Sequence, residues 1–254
     1  LFQMPGGEWH ISGPKLTGME AAFVQGASAD DLCALAIWAD AVHRDRGVPA
    51  AIIPYLPGAR QDRRQTGEAL SCHVYAEMIN AMKLISVVYL DPHSVAMTAC
   101  LDRGVEAPLI PIVAEALAGT RFDGVIAPDV GAAKRAQIVA GHLKVPCFQA
   151  FKHRDSTTGK LSGFTCEPLP SSGKFLIVDD ICDGGGTFCG LAETLKLPRE
   201  RLALYVTHGI FSKGAERLET YFSAIYTTDS YISGAYAPPI KQRANVAHIM
   251  VQYI

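Results

Sequence analysis

Thirteen residues, Phe175 to Thr187 (FLIVDDICDGGGT), bring three kinds of chemistry into one short stretch. Four apolar residues, Phe175, Leu176, Ile177 and Val178, are followed at once by the carboxylates Asp179 and Asp180. Asp183, Gly184, Gly185, Gly186 and Thr187 come next, and then a run with helical periodicity. Glycines that open a helix let backbone N–H groups approach an anion, and the helix dipole favours it there. Thr187 adds a hydroxyl donor. Phosphate would repel the paired carboxylates, so these must face something else, either sugar hydroxyls or a metal ion. An acidic pair and an anion nest within nine residues therefore point to a sugar phosphate. A Gly-Gly-Gly turn alone would serve as well as a tight strand-to-helix connection. The combination with the carboxylates after a buried strand is what points to a ligand.

Such a loop needs a strand before it and a helix after it, and the rest of the chain repeats that alternation. Apolar runs predict strands at Ala50–Pro54, Leu84–Leu90, Gly124–Ala127, Val145–Ala150, Lys174–Val178, Leu202–Val206, Ala224–Thr227 and Val246–Val251. Helical spacing predicts helices at Ser28–Arg46, Leu70–Met82, Leu109–Leu117, Ala132–Leu143 and Thr187–Leu195. In the first, Ser28 caps and Leu32, Leu35, Ala39 and Val42 form the apolar stripe. Alternation with continuously apolar strands implies an α/β fold with mostly parallel sheets covered on both faces, and ligands beyond the carboxyl ends of the strands. The pattern runs twice, one half reaching about Gly104 and the next beginning near Ala107. The small, polar segment Ser156–Gly163 reads as a mobile loop.

Composition narrows the class. The 254 residues are 49% hydrophobic and 19% charged, with a formal charge of −2, which gives no electrostatic reason for a nucleic-acid or anionic-membrane partner. No apolar run approaches the ~20 residues that span a bilayer, and no signal-peptide pattern opens the chain. Seven cysteines, scattered and without a C-x-x-C pair, suit reduced thiols and a cytoplasmic protein.

The Val178–Thr187 stretch resembles the PRPP-binding loop of phosphoribosyltransferase-type proteins, VDD-x-x-DTGGT. Further segments resemble the ribose-phosphate pyrophosphokinase (PRPP synthetase) family, in family order along nearly the whole chain. Pro54–Arg64 (PYLPGARQDRR) is similar to PY-F-x-YARQDR, and Asp91-Pro92-His93-Ser94 to DLH-S/A. Ala127–Gly131 with Lys134-Arg135 is similar to SPD-x-GG-x-x-RA. Phe151–Arg154 resembles the start of the family's flexible catalytic loop, Thr207–Ser212 resembles THGLFS, and Pro5–Glu8 sits where the family has S-D-G-E. The resemblance implies two tandem phosphoribosyltransferase-like (type I) parallel-sheet halves, residues 1–106 and 107–254. It implies transfer of the β,γ-diphosphoryl group of ATP to the 1-hydroxyl of ribose 5-phosphate, with Mg²⁺. Lys152, Arg154 and His93 would be catalytic, and His93 and Asp129 would share the metal. Arg60, Gln61, Asp62 and Glu8 would bind ATP. Asp179, Asp180, Asp183, Gly184, Gly185, Gly186 and Thr187 would bind the ribose phosphate. His208 stays open between packing and site roles. A homo-oligomer, dimer or hexamer, is also implied, because the Phe2–Glu8 turn would serve a neighbour's ATP site.

Several positions depart from the family pattern. Gly184 replaces the loop threonine, removing a hydroxyl contact worth on the order of 1.5–3 kcal/mol and opening space beside the 5-phosphate. Met4 and Gly6 replace the adenine-stacking phenylalanine and its polar neighbour, and Leu56 and Gly58 replace two aromatics. These changes keep a second acceptor in view: ADP-ribose, whose 1-diphosphate would feed NAD⁺ resynthesis. A PRPP-consuming transferase would share only the loop, and a regulatory subunit would not need Lys152, Arg154, His93 and Asp129.

Overall fold

In a computed structural model, which describes residues 1–154, 161–231 and 240–254, the chain starts with a short hairpin. Strand β1 (Phe2–Gln3) pairs with β2 (Trp9–His10) around the turn Met4–Glu8. The described residues then form two compact units, Leu1–Leu109 with Val246–Ile254, and Ile110–Asn245.

The first unit carries a parallel sheet in the order β3 (Met19–Phe23), β4 (Val48–Ile52), β5 (Val87–Leu90) and β6 (Gly104–Ala107). Helices α1 (Ala29–Arg44), α2 (Ser71–Ala81) and α3 (Val95–Ala99) connect the strands. A capping box starts α1: the Asp31 N–H donates to Ser28 Oγ at 3.1 Å, and the Ser28 N–H donates to the Asp31 carboxylate at 2.9 Å. The expected stripe of Leu32, Leu35, Ala39 and Val42 is buried and packs with Ile53, Ile79 and Tyr89 in one core. The segment Gly104–Ala107, where the sequence pattern divides, is itself a strand paired to β5.

The second unit runs α4 (Leu109–Ala116), β7 (Gly124–Ala127), α5 (Ala133–Leu143), β8 (Cys147–Arg154), β9 (Leu161–Cys166), β10 (Phe175–Cys182), α6 (Gly186–Leu195), β11 (Leu202–Gly209), α7 (Glu216–Glu219), β12 (Ala224–Thr228) and β13 (Ile240–Ala244). Its sheet order is β13-β12-β11-β10-β7-β8-β9, parallel except for β9, which lies antiparallel to β8. Phe175 to Val178 are fully buried in the sheet centre, as a doubly covered strand requires. From β7 the chain proceeds to β8 on one side, and from β10 to β11 on the other. The crevice between β7 and β10 is therefore the topological switch point, where such sheets bind ligands.

Three expectations change. Val246–Val251 is not a strand. It contains α8 (Ala247–Met250), with Val246, Ile249 and Met250 buried at helical spacing, a pattern that a six-residue apolar run does not distinguish from a strand. Strand β10 extends to Cys182 because it pairs along the full length of β11, so Asp179 and Asp180 lie within it rather than after it. Of the expected mobile segment 156–163, Leu161–Gly163 belong to β9 and residues 156–160 lie outside the described residues.

Candidate active site

The loop at the end of β10 is held from one side by the chain that follows β11. Backbone N–H groups of Ile210 and Phe211 donate to the Cys182 carbonyl at 2.9 and 3.0 Å, and Ser212 Oγ donates to Asp183 Oδ1. Gly185 has φ +74°, and a Cβ there would stand 3.1 Å from Leu218 Cδ2, so both the backbone angle and the packing call for glycine. Its carbonyl accepts the Cys189 N–H at 3.0 Å, closing the first turn of α6. Gly184 is not beside open space. A Cβ there would lie 3.2 Å from Cδ of Lys213, whose aliphatic stem crosses the glycine. The sequence expectation of an opened pocket is changed to that extent.

Asp179 and Asp180 share one cation. Arg135, on α5, directs Nη1 to Asp179 at 3.3 Å and Nη2 to Asp180 at 3.5 Å, with all three side chains largely removed from solvent. The Asp180 N–H donates to Asp179 Oδ1 at 2.9 Å and the Ile181 N–H to Asp180 Oδ1 at 2.8 Å. Burial, followed by the adjacent Asp180 charge, pushes the Asp179 carboxyl well above the usual carboxylate range, against the lowering effect of Arg135. Sequence reasoning quoted Arg135 in a motif without giving it a role. The signal was that motif's place at the start of the helix after β7.

Lys152, on β8, donates from Nζ to Thr187 Oγ1 at 2.9 Å, so the strand entering the expected catalytic loop touches the expected phosphate loop. Arg154 ends β8, and its side chain lies outside the described residues. Asp129 follows β7, and its Oδ1 accepts the Ala132 N–H at 3.2 Å at the entry to α5. His208 is buried. Ser230 Oγ donates to the Thr207 carbonyl at 3.0 Å, which leaves the 2.8 Å contact with His208 Nδ1 as one the imidazole donates. That arrangement gives His208 a packing and networking role inside the sheet.

In the first unit, Arg60 and Gln61 are exposed on the loop after β4, which is braced by the Gln61 N–H to Gly58 carbonyl bond at 2.9 Å. Gly58 has φ +74°, and a Cβ there would lie 2.5 Å from Tyr75 Cδ2, so an aromatic is excluded at 58 and Tyr75 fills the place. Asp62 is half-buried beside them, and Leu56 is buried in the core. His93 is exposed between Asp91, which has φ +41°, and Ser94, whose Oγ caps α3 by accepting the Ala96 N–H at 3.1 Å. Glu8 closes the N-terminal turn through its carbonyl, which accepts the Met4 N–H at 2.8 Å.

Among the described residues no group of three or more His, Cys, Asp or Glu side chains is gathered for a metal ion. All seven cysteines are unpaired by disulfides, and none of the described helices is long and apolar enough to cross a membrane.

Comparison with known proteins agrees with these features. The phosphoribosyl transferase domain model matches residues 105–228. Ribose-phosphate pyrophosphokinase of Cereibacter sphaeroides is 32% identical over 216 residues, covering 79% of this chain and 63% of that protein. The Chromobacterium violaceum enzyme of the same name is 30% identical over 242 residues, covering 88% and 71%. The Rhizobium meliloti one is 31% identical over 221 residues, covering 80% and 68%. The chain thus spans from under two thirds to about 70% of these relatives' lengths. Phosphoribosylpyrophosphate synthetase from Mycobacterium smegmatis has the same fold, with a TM-score of 0.76 at 22% identity, over 94% of this chain and 83% of that one. The ordered motifs, the doubled parallel α/β architecture and these similarities together show that the chain belongs to the ribose-phosphate pyrophosphokinase family.

Proposed function

We propose that the protein transfers the β,γ-diphosphoryl group of ATP to the 1-hydroxyl of ribose 5-phosphate, giving PRPP and AMP. The carrying observation is that the glycine loop, the carboxylate pair and Lys152 converge at the carboxyl end of one sheet. In this reading the N–H groups of Gly184–Thr187 take the 5-phosphate, and Asp179 and Asp180 accept from the 2- and 3-hydroxyls. Arg135 keeps the two carboxylates in place and moderates their repulsion. The long stem of Lys152 lets its ammonium turn from Thr187 to the migrating group, with Arg154 as second cation and the 1-hydroxyl in line with the β-phosphorus. Arg60, Gln61, Asp62 and Glu8 bind ATP. His93 and Asp129 would hold Mg²⁺, which when bound neutralises phosphoryl charge. The relatives' name, ribose-phosphate pyrophosphokinase, supports the same chemistry. A cytoplasmic homo-oligomer, dimer or hexamer, completes the proposal.

The loss of the loop threonine at Gly184 keeps a second acceptor in view, ADP-ribose, whose 5-phosphate continues into a second phosphate. The stem of Lys213 would then have to turn aside. Mass spectrometry of products formed with Mg²⁺, ATP and either acceptor decides between them. PRPP and AMP from ribose 5-phosphate sustain the first reading. Conversion of ADP-ribose alone replaces it, and conversion of neither rejects diphosphoryl transfer.

A further inference from the structure

We propose that Lys213 is a specificity-determining residue for the acceptor, supplying an ammonium to the 5-phosphate where the usual loop would offer a threonine hydroxyl at position 184. The inference rests on reading Gly184–Thr187 as a phosphate site. Three contacts place the lysine there. Its Cγ, Cδ and Cε stand 3.6, 3.2 and 3.5 Å from the point a Cβ on Gly184 would occupy, so the stem runs across that glycine with the ammonium one bond further on. Ser212, its chain neighbour, is tied to Asp183 by a side-chain hydrogen bond. On the other side Gly214 N–H donates to the Phe211 carbonyl at 2.9 Å, and Phe211 itself is anchored on Cys182. The turn that carries Lys213 is thereby closed on itself and tied to the loop through Phe211 and Ser212.

Glycine at 184 and lysine at 213 then make one device. Without a Cβ at 184 the stem can lie flat on the loop. A threonine there would press on Cδ and push the lysine outward. Lys152 reaches the other end of the same loop at Thr187, and because its ammonium turns to the migrating group in the proposed transfer, Lys213 is the cation assigned to the 5-phosphate. Such a nest selects a doubly charged phosphate, and selects it more strongly at low ionic strength.

The test measures the dissociation constant of ribose 5-phosphate by calorimetry for the full chain, the Lys213→Met variant and the Lys213→Arg variant, at low and high KCl. Methionine keeps the apolar stem over Gly184 and removes only the charge. The expected result is about tenfold weaker binding for Lys213→Met, near-native binding for Lys213→Arg, and a shallower salt dependence for the methionine variant. Thermal melts of all three should coincide. Wild-type binding that is matched by Lys213→Met in both strength and salt dependence overturns the role of Lys213 and leaves the phosphate site standing. Failure of the wild type to bind ribose 5-phosphate at all overturns both.

Discussion

The two polar loops to which the proposed function assigns the chemistry are built in opposite ways. The Asp179–Thr187 loop lies on a strand whose core residues are fully buried, and its side chains are tied to Arg135, Lys152 and Ser212. The Arg60–Asp62 loop has backbone bonds from the Gln61 N–H to the Gly58 carbonyl and from the Cys72 N–H to the Gln61 carbonyl, and Arg60 and Gln61 lie at the exposed surface. Pre-arranged donors gain most where charge must be met without reorganisation, whereas an exposed loop can close on a substrate after it arrives. On the proposed function, the difference makes the first a fixed acceptor subsite and the second an adaptable nucleotide segment.

Removing the charged stitching should separate the two regions. Lys152→Ala is expected to lower turnover by about 10²–10³-fold, since it withdraws a cation from developing phosphoryl charge, and to weaken acceptor binding much less. Steady-state kinetics with both substrates varied checks this, and unchanged turnover would remove Lys152 from the mechanism. Arg135→Met should cost about 3 kcal/mol of stability at neutral pH, because it leaves two adjacent buried carboxylates without their counter-charge.

That loss has a defined pH dependence. A carboxyl whose folded value is raised contributes stability that is fully present below its ordinary value and lost as pH rises through the raised one. The wild type should therefore surrender this contribution between about pH 4 and the raised Asp179 value. The Arg135→Met penalty should shrink as pH falls through the same window, and thermal melts from pH 4 to 8 would show both trends. Melting curves of wild type and Arg135→Met that keep a constant separation across that range would contradict the assignment. The smallest effect is expected in the exposed loop: Arg60→Ala should raise KM for ATP about tenfold while shifting stability by less than ~0.5 kcal/mol. A large drop in melting temperature would mean that this loop is as structural as the other.

How far the sequence could be read varies between elements for physical reasons. The α1 helix was readable because its capping serine and its four-residue apolar stripe are local signals. Val246–Val251 reads as a strand in the sequence because six residues with five apolar ones satisfy either period until the core chooses a face. Arg135 was quoted without a role because its partners are 44 and 45 positions away. Gly58 was read as a lost aromatic, and only the approach of Tyr75 shows why glycine is required there.

By itself the sequence determined the strand-loop-helix order, the glycine nest with its acidic pair, and the family. These depend on residue types at short, local spacing. The tertiary structure decided which residues surround that nest: Arg135 between the two carboxylates, Lys152 on Thr187, and the stem of Lys213 across Gly184. Those meetings join residues tens of positions apart, and only sheet order and register bring them within hydrogen-bonding or van der Waals range.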